Sequence, residues 1–206
     1  IAVLSAVAIV AVAAAIVLLA VRPFGRWPAD TVFVSDGDAL RRALEDASPG
    51  GTIVLSNADS VYVGPFRIEV PDLTLASSRG GILSSTGEEP TLLIDADGTT
   101  VEGVVVRAES IGVRISGANC TLRDVTVLEA PVGIQVSGSR TSRLTRVTID
   151  GGEIAVELVS SGGNLLDSVR VRGASGVGVR LVGAWANVLD GVDVEGVPIG
   201  ISLEQG

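Results

Sequence analysis

The chain has 206 residues, 26 of them glycine, with 47% hydrophobic and only 3% aromatic residues and a formal net charge of −9. The acidic balance argues against a nucleic-acid partner, which would demand a basic footprint. The absence of histidine removes the commonest general base, the imidazole metal ligand and any Ser-His-Asp or Cys-His arrangement.

Residues 1–21 carry no charge and one polar side chain, Ser5. As a helix they would span about 30 Å, the hydrocarbon thickness of a bilayer. The following Arg22-Pro23-Phe24-Gly25-Arg26-Trp27-Pro28 lacks an A-x-A cleavage pattern. The expectation is therefore a retained transmembrane anchor, with Arg22, Arg26 and Trp27 at the membrane interface and a linker over 22–31. The sequence opens without methionine, so upstream residues are expected. Arg22 and Arg26 alone favour a cytoplasmic domain, and upstream charges would reverse that. The expected placement is extracytoplasmic, on the periplasmic side.

Residues 32–51 read as a strand followed by a capping helix. Ser35-Asp36 supplies an N-cap for a helix over 38–47, with Leu40, Ala43, Leu44 and Ala47 on one face. Ser48-Pro49-Gly50-Gly51 ends it, and Thr52-Ile53-Val54-Leu55 opens the first strand of a solenoid over 52–206. A helix over the end of such a column shields its apolar edge.

Within the solenoid the sequence repeats at about 22 residues. Small residues at 112, 133, 155, 178 and 200 are each flanked by aliphatics, as in Val132-Gly133-Ile134-Gln135-Val136. A second strand opens on Val104, Val125, Val147, Val169 and Val192, as in Val104-Val105-Val106; a third position holds Val101, Leu122, Leu144, Leu166 and Leu189. Short strands of period two, separated by Gly, Asn, Ser or Asp turns, predict an all-β parallel β-helix of about six coils with aliphatics stacked inward. Outward columns then place Glu157 beside Arg180 and Arg170 beside Asp193. Asn119, Asn164 and Asn187, with Ser142 at the remaining level, are read as one turn ladder. Cys120 lies inside an apolar repeat and reads as a core thiol; alone, it rules out an intrachain disulfide.

The segments Val34-Ser35-Asp36-Gly37-Asp38-Ala39-Leu40, Ala47-Ser48-Pro49-Gly50-Gly51-Thr52-Ile53-Val54-Leu55 and Val63-Gly64-Pro65-Phe66-Arg67-Ile68 resemble the opening of pectate-lyase-like right-handed parallel β-helices. The resemblance is greatest to the NosD-type branch. It implies the fold over roughly 32–206 and leaves the activity open, since such proteins include lyases, hydrolases, epimerases, binding proteins and inert spikes. The Gly-His-Gly segment of polygalacturonases has no counterpart. A lyase-like calcium site would have to draw on Asp124, Asp167 and Asp190, with Arg123, Arg143 or Arg170. Asp124 lies one register position from the other two, and turn acids explain all three. Copper handling, implied by the NosD branch, would have Cys120 as its only soft ligand.

No catalytic, cofactor or metal residues are therefore assigned, and no cofactor is expected. The leading functional expectation is a non-catalytic, membrane-anchored accessory subunit of a larger membrane complex. Its partners would be the bilayer and other proteins, and glycan is only weakly supported. Repeat six stops at Leu203-Glu204-Gln205-Gly206 with no capping helix in sequence, leaving an edge that another copy, another subunit or further sequence would cover. Trp185 and Leu203 are the candidate interaction residues. The alternatives are a glycan-binding or metal-handling accessory module, and a polysaccharide lyase or hydrolase.

Overall fold

The computed structural model describes residues 27–57 and 60–205. The apolar stretch 1–21, with Arg22 and Arg26, lies outside these residues; among the described residues no helix is long and apolar enough to cross a membrane. Trp27 is half-buried at the start of the described chain.

Strand Val32–Val34 leads into a helix, Gly37–Glu45. Asp36 caps it by accepting the Ala39 N–H at 2.8 Å. That hydrogen bond, ahead of a second from the Ser35 hydroxyl, holds the Asp36 carboxyl below its ordinary value. Leu40 and Leu44 are buried, with Ala39, Ala43 and Ala47 packed around them. The predicted face is thus the observed one, although the helix starts one residue earlier and stops two sooner.

From Thr52 onward the chain winds through three parallel sheets. The first begins with Val32–Val34 and contains Thr52–Leu55, Thr74–Ser77 and so on to Val188–Asp190, eight strands among the described residues. The second runs from Val61–Val63 to Asp193–Glu195 and the third from Phe66–Ile68 to Ile199–Glu204, with seven strands each. The eight levels correct the expectation of about six. The coils through Phe66–Ile68 and Leu92–Ile94 have three-residue third strands without a central glycine, so they lack the signature by which the others were counted.

Register follows the repeat. Leu122 lies between Val101 and Leu144, and Val127 between Val106 and Ile149; all are fully or almost fully buried. The second strands begin one residue later than predicted, because Val104, Val125, Val147 and Val169 turn the corner while still filling the core.

The small residues of the third sheet have a steric cause. A Cβ on Gly133 would meet the Ala155 carbonyl oxygen at 2.5 Å and Ile149 at 2.8 Å; one on Gly112 would meet the Gly133 oxygen at 2.6 Å. Ala155 shows that a single methyl can be accommodated at this column. Branching is another matter. Gly133→Val should cost about 1–3 kcal/mol by overpacking against backbone that cannot step aside. Gly200→Val, with nothing within 4 Å of its Cβ position, should stay within about 0.5 kcal/mol. Urea unfolding of the two variants checks this, and equal effects would refute the steric explanation.

Candidate functional site

The third sheet presents the broadest face, because its strands at the later levels extend to five or six residues. Alternation points one column of side chains outward: Arg67, Leu93, Arg114, Gln135, Glu157, Arg180 and Ser202, each in register with the next. The column is tied lengthwise. Arg114 Nε donates to Gln135 Oε1 at 2.6 Å, and Gln135 Nε2 donates to Glu157 Oε2 at 2.6 Å. Arg180 Nη1 reaches Glu157 Oε1 at 3.5 Å and grips Glu204 through two bonds of 2.9 and 2.8 Å.

Glu157 is the buried member, 8% exposed, with both carboxylate oxygens engaged. At Glu204 the Arg180 hydrogen bonds depress the carboxyl pKa, and they raise that of the guanidinium. A depressed carboxyl stabilises above its unfolded-state pKa and loses that contribution as pH falls through the folded one. Acid therefore releases this pair. The opposite end of the column opens into a shallow recess of about 200 Å³, lined by Pro65, Phe66, Arg67, Glu89, Pro90, Leu93 and Arg114. Arg67 also faces Glu69 at 3.3 Å and Asp95 at 3.7 Å. A larger groove, about 540 Å³, lies between the capping helix and strand Val32–Val34; its walls include Phe33, Ala43, Ile53, Leu73 and Arg42.

The predicted charge ladders form. Glu157 and Arg180 are adjacent, and Arg170 faces Asp193 at 3.8 Å. Others join them: Glu102–Arg123, Asp124–Arg146 and Arg172–Glu195, each one coil apart. Exposed pairs of this kind contribute at most about 1 kcal/mol each. Asp124 binds Arg146 through two hydrogen bonds of 2.7 Å, while Asp167 and Asp190 pair in register one position away. Among the described residues no group of three or more His, Cys, Asp or Glu is placed to hold a metal ion.

The asparagine ladder is corrected. Asn164 and Asn187 stack with Ser142, each side chain accepting the backbone N–H of the coil before it, and Cys120 occupies the next place. Asn119 belongs to a neighbouring column with Thr141, Gly163 and Ala186, all with left-handed backbone. The spacing of Asn119 misled because the 119–141 and 164–187 steps differ by one residue.

Trp185 lies over Gly162, whose missing Cβ leaves room for the indole, and is half exposed; Leu203 is 78% exposed at the edge of the third sheet. Neither touches the Arg67–Arg114 recess. The outward column through Gln135 follows from the repeat, whereas the recess has no counterpart in a sequence motif.

The tyrosine and the cysteine among the described residues are withdrawn from this face. Tyr62 is fully buried and donates to the Val34 carbonyl at 3.0 Å. Cys120 is enclosed with its thiol toward the Ala96 carbonyl, and burial pushes its pKa up. What remains is a row of planar donors and carboxylates suited to hydrogen-bonding an extended polar chain.

No family profile and no curated protein matches this sequence. Solved structures do. An alginate lyase from Paenibacillus sp. str. FPU-7 superposes with a TM-score of 0.75 at 17% identity, over 85% of this chain and 75% of that one. A pectate lyase gives 0.58 at 12% identity, over 76% and 54% of the two chains. A pectin methylesterase from Aspergillus niger gives 0.55 at 12%, over 83% and 87%. The fold is the pectate-lyase-like right-handed parallel β-helix. At such identities the likeness carries the fold alone.

Two outcomes are expected. Glu157→Ala leaves Gln135 and Arg180 without their shared acceptor and should cost about 1–3 kcal/mol in urea unfolding; a neutral result would show the row to be decorative. Cys120 should resist thiol reagents at neutral pH in the folded protein and react promptly in denaturant. Rapid labelling of folded protein would contradict its enclosure.

Proposed function

We propose that the third-sheet face binds an acidic polysaccharide lengthwise, entering at the Arg67–Arg114 recess and running along the column toward Arg180. The observation that carries this reading is the in-register outward row on the broadest face, polar at every level but Leu93, with arginines at three of its levels. Coils stack at about 4.8 Å, comparable with one pyranose unit, so successive side chains meet successive sugars. Arg67 and Arg114 stand two levels, about 10 Å, apart. Their guanidiniums match carboxylates in planar, two-pronged fashion. The overall negative charge then confines binding to this row rather than to the whole surface. The likeness to alginate- and pectate-cleaving enzymes and to a pectin esterase supports a polysaccharide ligand over other extended polymers. Burial of Tyr62 and Cys120 and the absence of histidine favour holding the chain over cleaving it. The apolar stretch 1–21 supports tethering of this surface to a membrane, and a polysaccharide ligand would place it on the extracytoplasmic side.

The test is calorimetric titration with oligogalacturonate and with alginate oligomers, alongside assay for unsaturated uronate products. Binding without cleavage is expected, weakened at least tenfold by Arg67→Ala with Arg114→Ala, and unchanged by Arg172→Ala on the second sheet. Equal loss from Arg172→Ala would move the ligand elsewhere, and release of unsaturated product would make the protein a lyase.

A further inference from the structure

The solenoid changes character along its length on two of its three faces. In the outward column of the first sheet, Phe33, Val54 and Ala76 give way to Glu102 and Arg123. In that of the second, Val61, Ile82 and Val105 give way to Thr126, Thr148 and Arg170. The third sheet shows no such change, since Arg67 already stands at its first level.

Part of this apolar stretch is uncovered. Val54 and Ala76 are buried, but Val32, Phe33, Val61 and Val63 are 48%, 58%, 50% and 60% exposed. From residue 64 to residue 184 no large hydrophobic side chain is exposed among the described residues. The two groups share one end of the column, because the Tyr62 hydroxyl donates to the Val34 carbonyl and ties their strands together. Three levels in each sheet give the apolar belt a height of about 10 Å. A contiguous exposed patch of this kind marks a membrane or protein contact.

The chain ahead of the belt indicates which. Trp27 opens the described residues, and only residues 22–26 separate it from the apolar run 1–21. So short a link reaches at most about 20 Å in any conformation, and a bilayer holding 1–21 is therefore close to this end. The height of the belt also fits the depth of about 5–10 Å to which interfacial apolar surfaces enter a bilayer. The end cap itself is unsuited to lipid, since the helix Gly37–Glu45 turns Arg41, Arg42 and Glu45 to solvent. Contact falls instead on the flank where the first and second sheets meet.

We propose that this flank rests on the lipid bilayer, with Phe33, Val61 and Val63 in the interfacial layer, and that the solenoid is thereby tilted to turn its third sheet away from the membrane. The proposal rests on residues 1–21 as the tether. It adds a direction that a tether alone does not supply: the polar row from Arg67 to Arg180 stands clear of the headgroups and open to a polymer in solution.

The enclosure of Cys120 lets a cysteine introduced at an exposed site be labelled by itself. The full chain is reconstituted into phosphatidylcholine vesicles with plain or brominated acyl chains. It carries a fluorophore on Phe33→Cys, Val63→Cys, Leu93→Cys or Thr148→Cys. Brominated lipid should quench the labels at 33 and 63 at least twofold and leave those at 93 and 148 unchanged. Phe33→Asp with Val61→Asp should restore emission at 63 while the chain still floats with the vesicles. Flotation without quenching at 33 and 63 overturns the contact and leaves the tether standing; failure to float overturns both. Quenching at 93 or 148 equal to that at 63 overturns the tilt. Shielding of 63 from aqueous reagents without quenching would give the flank to a protein instead.

Discussion

In the third sheet, a backbone carbonyl of each later coil stands almost where a side chain would begin on the small residue of the coil before it. That close approach fixes the register of the coils from Ile111 onward. Once Gly112, Gly133 and Gly178 are aligned under their neighbours' carbonyls, Leu122, Leu144 and Leu166 have to stack on one another, as do Val127, Ile149 and Val171. A slip by one residue would turn these aliphatics outward and their arginine and aspartate neighbours in. The core and the ladders are two consequences of one packing constraint.

The same register makes a row of polar side chains available as a surface. Where outward neighbours are opposite charges, as at Asp124 and Arg146, the pairs neutralise each other. On the third sheet the row is mixed: an amide at Gln135 relays between Arg114 and Glu157, and an aliphatic at Leu93 separates Arg67 from Arg114. This holds the donors at fixed intervals and sets Arg67, with Glu69 and Asp95 beside it, and Arg114 at the rim of a recess. A rigid ladder of donors lowers the ordering cost of holding an extended ligand.

Much of the fold was legible in sequence, because a repeat of 22 residues with a small residue at its centre admits few other solutions. The capping face of Leu40 and Leu44, the stacking of Leu122 with Leu144 and the Glu157–Arg180 pair all followed from counting. The coils before residue 100 did not, since Phe66-Arg67-Ile68 and Leu92-Leu93-Ile94 are too short to need the glycine. Asn119 was assigned to the wrong column because its neighbour Cys120, without an amide side chain, hid the true ladder. The site was least visible of all. A recess formed by Pro65, Glu89 and Arg114 draws on three separate coils, and no local pattern announces it.

Whether the third-sheet face is a recognition surface is best measured by hydroxyl-radical footprinting with and without uronate oligosaccharide. Protection should appear at Pro65 and Leu93 and fall away on the first and second sheets. Unchanged reactivity at these two residues, or protection confined to Trp185 and Leu203, would contradict the assignment.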